Sequence, residues 1–293
     1  MGAATDLTKI LINRLDELPT LPAVVYEVTE IINDPMSSTA DVEAVMSNDP
    51  SLTTKVLKLA NSAYYAIPGG VSSLARAIGY IGYDTVQQLV LSASIIDSVK
   101  VDSTSLFDPT QFWRHCIGVA MAGETIGKAM DLNSTSDIFT CGLVHDIGKL
   151  ASFILTPNEF EDILIHAKAN NMTIHEAEKA LGVPTHTEIG EILADKWKLP
   201  SKIRSTIKYH HENDPAKRVG VSAEVNTVID VVLVANLFVH ALKFGNSGHS
   251  KALGAPKAVI ERLQLSPKQV KELLSNIKAH LENADGFLSI IGA

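Results

Sequence analysis

Five histidines and one aspartate stand out for what they could do together: His115, His145, Asp146, His186, His210 and His211. Neutral imidazoles and carboxylates are ligands for divalent ions, held about 2.0–2.2 Å from the metal. They work as a set when rigid elements bring several to one point. The stretch Gly142 to Leu150, GLVHDIGKL, puts His145, Asp146 and Lys149 inside an apolar run. Buried polar groups persist when partnered, so the run is either a hydrogen-bonded pair at a core edge or one wall of a metal pocket.

The other histidines decide between these readings. His115 lies a little over one turn into a helix that Asp108 starts, His186 is the first residue of a helix capped by Thr185, and His210–His211 end a helix that follows Pro200. On a helix, the neighbours His145 and Asp146 diverge by about 100°, so both reach one cluster only near their shared edge. Alone, His115 reads as a core histidine, His186 as a helix-start residue, and the pair as imidazoles suited to a helix carboxyl end. Jointly they read as a metal-capable pocket. Lys149, three residues after Asp146, shares its face and reads either as a phosphate ligand or as a snorkelling surface lysine. Glu212 reads either as the orienting partner of a ligand histidine or as a solvated charge. His166, His175, His240, His249 and His280 read as surface, loop or tail residues without a role. Cys116 and Cys141 read as small buried hydrophobes rather than ligands.

Helices must position this set. Oxygen-bearing caps recur before helical runs at Asp49–Pro50, Asp84 with Gln87, Asp108–Pro109 with Gln111, Thr173 with Glu176, and Thr185 with Glu188. Strand signals are scarce, so the chain is expected to be all-α. Breaks fall at Asn33–Asp34–Pro35, Ile67 to Gly70, Gly79 and Gly82, Leu181 to Pro184, and Gly245 to Gly248. The polar segment Asp102 to Pro109 is the expected internal boundary, with every candidate ligand after it. An amphipathic pattern from Val270 to Leu281 predicts a helical tail.

Composition narrows the function classes. At 293 residues and 46% hydrophobic, the chain can bury a sizeable core. Two cysteines exclude a disulfide framework, and the amino terminus lacks a basic stretch followed by an apolar cleavable segment. A cytoplasmic, reduced protein is expected. No apolar run reaches the roughly 20 residues of a membrane span, and a net charge of −8 without a basic run argues against nucleic acid as partner.

His115, GLVHDIGK, HTEIGEIL from His186 and YHHE from Tyr209 resemble the HD superfamily of metal-dependent phosphohydrolases, especially its cyclic-di-GMP phosphodiesterase branch. LPTLP (Leu18 to Pro22), NDPSLTTKVLKLANSAYY (Asn48 to Tyr65) and AIGYIGYDTVQQLVLS (Ala77 to Ser92) resemble the HDOD domain, a bacterial signalling relative. The resemblance implies an all-α, multi-helix HD-like bundle with an amino-terminal helical subdomain. Its parts would be 1–108, the amino-terminal part of HDOD; 109–248, the HD-like core; and 249–293, the tail.

The resemblance also implies a regulatory role and a test of it. Active relatives complete one metal site with an aspartate after the paired histidines, where VVLVANLFVH here places Asn236; the GYP signature of cyclic-di-GMP enzymes is replaced by HHENDPAKRVG. Mapped residue by residue, Asp146, His186, His210 and His211 could ligate one metal, while the site of His115, His145 and Asp146 has lost a carboxylate. One or two divalent ions (iron, manganese or zinc) are the implied cofactors. The implied partner is a signalling protein or a small nucleotide-like ligand, not a membrane, with a homodimer left open. The alternative is a phosphohydrolase in which Asp146 and Lys149 are catalytic, Asp146 ligating or bridging metal and Lys149 holding phosphate.

Overall fold

The computed structural model describes residues 14–289 except 19, 35, 100, 133 and 134. The amino-terminal stretch before residue 14, Pro19 of the LPTLP motif and Pro35 of the first break lie outside the described residues. All regular structure among the described residues is helical, as the caps and periodicity predict. The chain forms two compact units, one of Thr20–Lys100 with the chain from Ala279, the other of Val101–Lys278 with the short 3-10 turn Leu15–Glu17.

The first unit holds α1 (Ala23–Asn33), α2 (Thr39–Met46), α3 (Pro50–Ala60), α4 (Leu74–Ile81) and α5 (Tyr83–Ser98). Asp49 caps α3 by accepting from the Leu52 amide, with Pro50 at the first position, where its missing N–H costs nothing. Asp84 does not cap α5. That helix starts one residue earlier, behind Gly82 at φ +82°, a conformation open to glycine and unfavourable for other residues. Val42, Val56, Val86, Leu89 and Ile95 are fully buried in this unit's core. The loop after α3 is pinned by Asn61, whose side chain exchanges two hydrogen bonds, 2.6 and 2.7 Å, with the backbone of Val71.

The second unit carries every predicted ligand. Its helices are α6 (Pro109–Ala129), α7 (Thr135–Val144), α8 (Ile147–Leu155), α9 (Pro157–Ala169), α10 (Ile174–Leu181), α11 (His186–Lys196), α12 (Ser201–Tyr209), α13 (Ala223–Ala241), α14 (Lys257–Arg262) and most of α15 (Pro267–Leu281). Asp108 caps α6, and Thr173 and Thr185 form capping boxes with Glu176 and Glu188 at α10 and α11. α6 packs on α7 and α13, and α11 packs on both α8 and α12. Two stretches, Thr135–Leu155 and Ala223–Ala241, have the length and hydropathy to cross a membrane; their apolar windows are 89% and 61% buried inside the protein.

The crossing of α8 and α11 sets the site. A Cβ on Gly148 would lie 1.9 Å from the His186 carbonyl oxygen and 2.7 Å from the Gly190 amide nitrogen. Only hydrogen at this position lets the two backbones meet, and their meeting brings Asp146 to His186. Alanine gains up to about 1 kcal/mol of helix propensity over glycine. The clash is with backbone, which cannot swing away, and overpacking of this kind costs about 1–3 kcal/mol. We therefore expect Gly148→Ala to lower the unfolding free energy by about 1–2 kcal/mol in urea denaturation; a variant as stable as the parent would show that the crossing tolerates a methyl group.

Candidate metal centre

His145 and Asp146 do not lie within one helix. α7 ends at Val144 and α8 starts at Ile147, leaving the pair in the turn between them, with Asp146 at φ −99°, ψ 9°. The break replaces the helical divergence of about 100° and lets both side chains face one point. His145 Nδ1 donates to the Gly142 carbonyl at 2.7 Å. A carbonyl only accepts, so the neutral ring carries its lone pair on Nε2, which lies 3.4 Å from Asp146 Oδ2.

The same logic fixes two more rings. His210 Nδ1 donates to the Ile207 carbonyl at 2.9 Å, and His186 Nδ1 donates to the Glu178 carboxylate at 2.8 Å. Their Nε2 atoms lie 3.4 and 3.2 Å from Asp146 Oδ1 and 3.4 Å from each other, with His211 Nε2 3.1 Å from that of His186. Asp146 Oδ1 and His145 Nε2 are buried with no hydrogen bond of normal geometry. Lone pairs therefore face lone pairs around one carboxylate, an arrangement that a cation relieves. Asp146, His186, His210 and His211 form one set whose ligand atoms lie within 4.8 Å of one another, and His115, His145 and Asp146 form another. The donor chemistry fits a divalent ion.

The two sets differ in what already occupies their donors. His115 Nε2 lies 3.0 Å from Asn236 Oδ1, so the amide takes up the ring nitrogen on that side. Lys149 is 2% exposed, which overturns the snorkelling reading. Its ammonium donates to Asp146 Oδ2 at 2.6 Å and to Ser247 Oγ at 3.3 Å.

Sequence reasoning missed four neighbours. His240, read as a surface residue, packs on His115 with ring centroids 4.4 Å apart, and His249 stacks on His240 at 4.4 Å. His175 stacks on His211 at 4.4 Å and 15°. Glu178, rather than Glu212, supports a ligand ring. The Glu212 carboxylate accepts from the Asp214 amide, while its carbonyl accepts from Arg218. Arg218 also donates to Asp230 at 2.6 Å, and Arg262 ties Asp230 to the Asn213 carbonyl. Spacing could have found two of them, since His240 lies four residues after Asn236 on α13 and His175 three before Glu178 on α10. His249 sits in a loop and offers no such signal. Cys116 and Cys141 are free and buried, as expected.

A cavity of about 170 Å³ reaches the centre, with His210, His211, Asn236, His240, His249 and Lys251 among its walls. The electrostatics follow burial. Burial pushes His210 down to about 3, His249 to about 3 and His240 to about 4, the last two also repelled by Lys149. Burial disfavours the Asp146 carboxylate, but His145 and Lys149 outweigh it and hold its pKa well below the usual range. His186 is desolvated too, yet the Glu178 charge raises its pKa.

A helical bundle with a His–Asp pair at a helix junction, further histidines converging on the aspartate and a lysine three residues on defines an HD-type chain. Within that class the chain belongs to the HDOD family, whose domain model matches residues 18–213. An HDOD domain protein of unknown function from Geobacter sulfurreducens has the same fold, with 24% identity, a TM-score of 0.75, and coverage of 100% of this chain and 97% of that one. A protein of Marinobacter aquaeolei VT8, provisionally named a signal transduction protein, aligns with a TM-score of 0.78 at 19% identity over 100% of this chain and 66% of its own. One of Shewanella amazonensis SB2B, provisionally named a metal-dependent phosphohydrolase, aligns with a TM-score of 0.63 at 21% identity, covering 96% and 100%. An uncharacterised protein of Treponema pallidum (strain Nichols) is 24% identical over 266 residues, 90% of this chain; the chain spans about half the length of that relative.

The buried rings set a pH dependence for the metal-free protein. His210, His240 and His249 have folded pKa values below their ordinary 6.5, so the unfolded chain binds more protons in between. Their stabilisation is complete above about 6.5 and is lost as pH falls towards 3–4. His115, His175 and His211 are lowered by burial as well, and His186 alone acts in the opposite sense, one ring against six. Urea midpoints in chelator should therefore fall from pH 8 to pH 5; midpoints that hold or rise would mean that the rings are not buried neutral.

Proposed function

We propose that this chain is a cytoplasmic bacterial signalling module that holds one divalent ion through Asp146, His186, His210 and His211 and does not act as a fast phosphodiesterase. The observation that carries the reading is the asymmetry of the two ligand sets. On one side, three imidazole nitrogens face an unbonded carboxylate oxygen. On the other, Asn236 is bonded to His115, and Lys149 holds the second oxygen of Asp146. Two-ion phosphoryl chemistry needs both sides.

The ion would be iron, manganese or zinc, since imidazoles suit the first and last and a carboxylate suits manganese. Bound there, it would polarise an oxygen of a ligand entering the cavity. Asp146 and the three histidines hold the ion, Lys149 neutralises the remaining charge of Asp146, and Asn236 fixes His115. The ligand or signalling partner reads the occupied centre, and a homodimer remains compatible with this role. The second reading, a phosphohydrolase with Asp146 and Lys149 catalytic, is favoured by the complete four-residue set and the cavity that reaches it. It requires the Lys149 ammonium to leave Asp146 for substrate.

Elemental analysis of protein purified without a metal-affinity tag should find about one equivalent of iron, manganese or zinc, lost in His186→Ala. Asn236→Asp should raise the content towards two. Two equivalents in the parent, with turnover of a phosphodiester that Asp146→Ala abolishes, would establish the hydrolase instead.

A further inference from the structure

We infer that Glu178 is the positioning residue of the centre, holding the His186 ring with Nδ1 protonated so that Nε2 points at Asp146. This rests on the one-ion reading above and names a residue outside its ligand set. Glu178 is 1% exposed, and both of its carboxylate oxygens lie on His186 Nδ1, Oε1 at 3.0 Å and Oε2 at 2.8 Å. Oε1 also accepts the His186 backbone N–H at 3.0 Å. Ring and backbone of one residue are thus gripped by one carboxylate.

Two other roles account for less of this geometry. An acid near the start of α11 would stabilise that helix through its N–H groups alone, which explains the backbone bond but not the two oxygens on the ring. A metal ligand in a set with His175 and His186 would need Nδ1 of His186 as a lone pair, and that nitrogen is donating. His175 Nδ1, 3.8 Å from Oε2, is too far away for a hydrogen bond, and burial lowers its pKa.

The fold explains how so distant an acid holds the ring. The Thr173–Glu176 capping box fixes the start of α10, and Gly182, left-handed at φ +65°, ends it. Three residues later Thr185 caps α11, so Glu178 is returned against the first residue of the next helix. A carboxylate on the far nitrogen of a ligand imidazole fixes the tautomer and raises its basicity, and losing such a partner typically costs about 10- to 100-fold in metal affinity.

The test uses the whole chain and two variants. Glu178→Gln keeps an acceptor for Nδ1 and removes the charge; Glu178→Leu removes both. Zinc titration should weaken about 10-fold in the first and about 100-fold in the second. In metal-free protein with labelled histidine nitrogens, nuclear magnetic resonance should show a protonated, protected Nδ1 on His186 in the parent and Glu178→Gln, and lose it in Glu178→Leu. Thermal unfolding in chelator identifies a variant that merely misfolds, and the glutamine variant then carries the test. Parent-like zinc affinity in a folded Glu178→Leu, or an unprotonated Nδ1 in the parent, overturns the role. If the parent takes up no zinc yet shows the protected Nδ1, the one-ion reading fails while the hold of Glu178 on His186 stands.

Discussion

The Asp146 carboxylate is wholly buried, and the second unit is organised by what that charge requires. Removing a carboxylate from water costs several kcal/mol even after relaxation, and it persists only with opposite charge or hydrogen bonds around it. Lys149 supplies the charge at one oxygen. The other oxygen faces imidazole nitrogens of His186 and His210, whose Nδ1 protons are held elsewhere by Glu178 and Ile207. The same backbone and side-chain acceptors that fix the tautomers leave this oxygen without a donor, so ring orientation and cation demand have one cause.

That demand reaches far along the chain. Asp146 must sit at a helix break, Gly148 must lack a side chain for α11 to approach, and α10 must turn back to place Glu178. The loop after the paired histidines is held by Arg218 and Arg262 on Asp230, with Arg218 fully buried at its side chain. A buried pair of this type is strongly destabilising to break, by about 3–5 kcal/mol. It fixes the segment next to His210 and His211 by ion pairs and carbonyl contacts where cyclic-di-GMP enzymes would place the GYP signature.

The sequence showed much of this and hid a definable part. Capping boxes at Thr173 and Thr185 were legible because each is a local bond over three residues. The convergence of these side chains on Asp146 was legible because His and Asp in apolar runs have few other uses. Asp84 misled because a competing local signal, Gly82, starts the helix one residue earlier. His145 and Asp146 were placed within a helix because nothing in GLVHDIGKL breaks a helical pattern; the break follows from tertiary demand on the carboxylate. Glu212 and Glu178 were confused because adjacency to the histidine pair is visible in a sequence, whereas an eight-residue return through Gly182 is not. Lys149, equally a surface or buried residue by pattern, was decided by burial alone.

Charge explains why the two ligand sets part company. At about 4 Å and an effective dielectric near 20, two unit charges interact by about 4 kcal/mol, and a divalent ion beside an ammonium feels roughly twice that as repulsion. An aspartate at position 236 would offset one unit of it; Asn236 offsets none. Lys149 is already bonded to the oxygen that the His115 and His145 side would need, so a second ion must displace an ammonium and do so without a second carboxylate. The opposite side meets no ammonium, because burial keeps His210 and His211 from charging and Asp146 Oδ1 has no hydrogen-bond donor on it. On the one-ion reading, Asn236 and Lys149 together leave the Asp146, His186, His210 and His211 set as the single site, with a cation beside it.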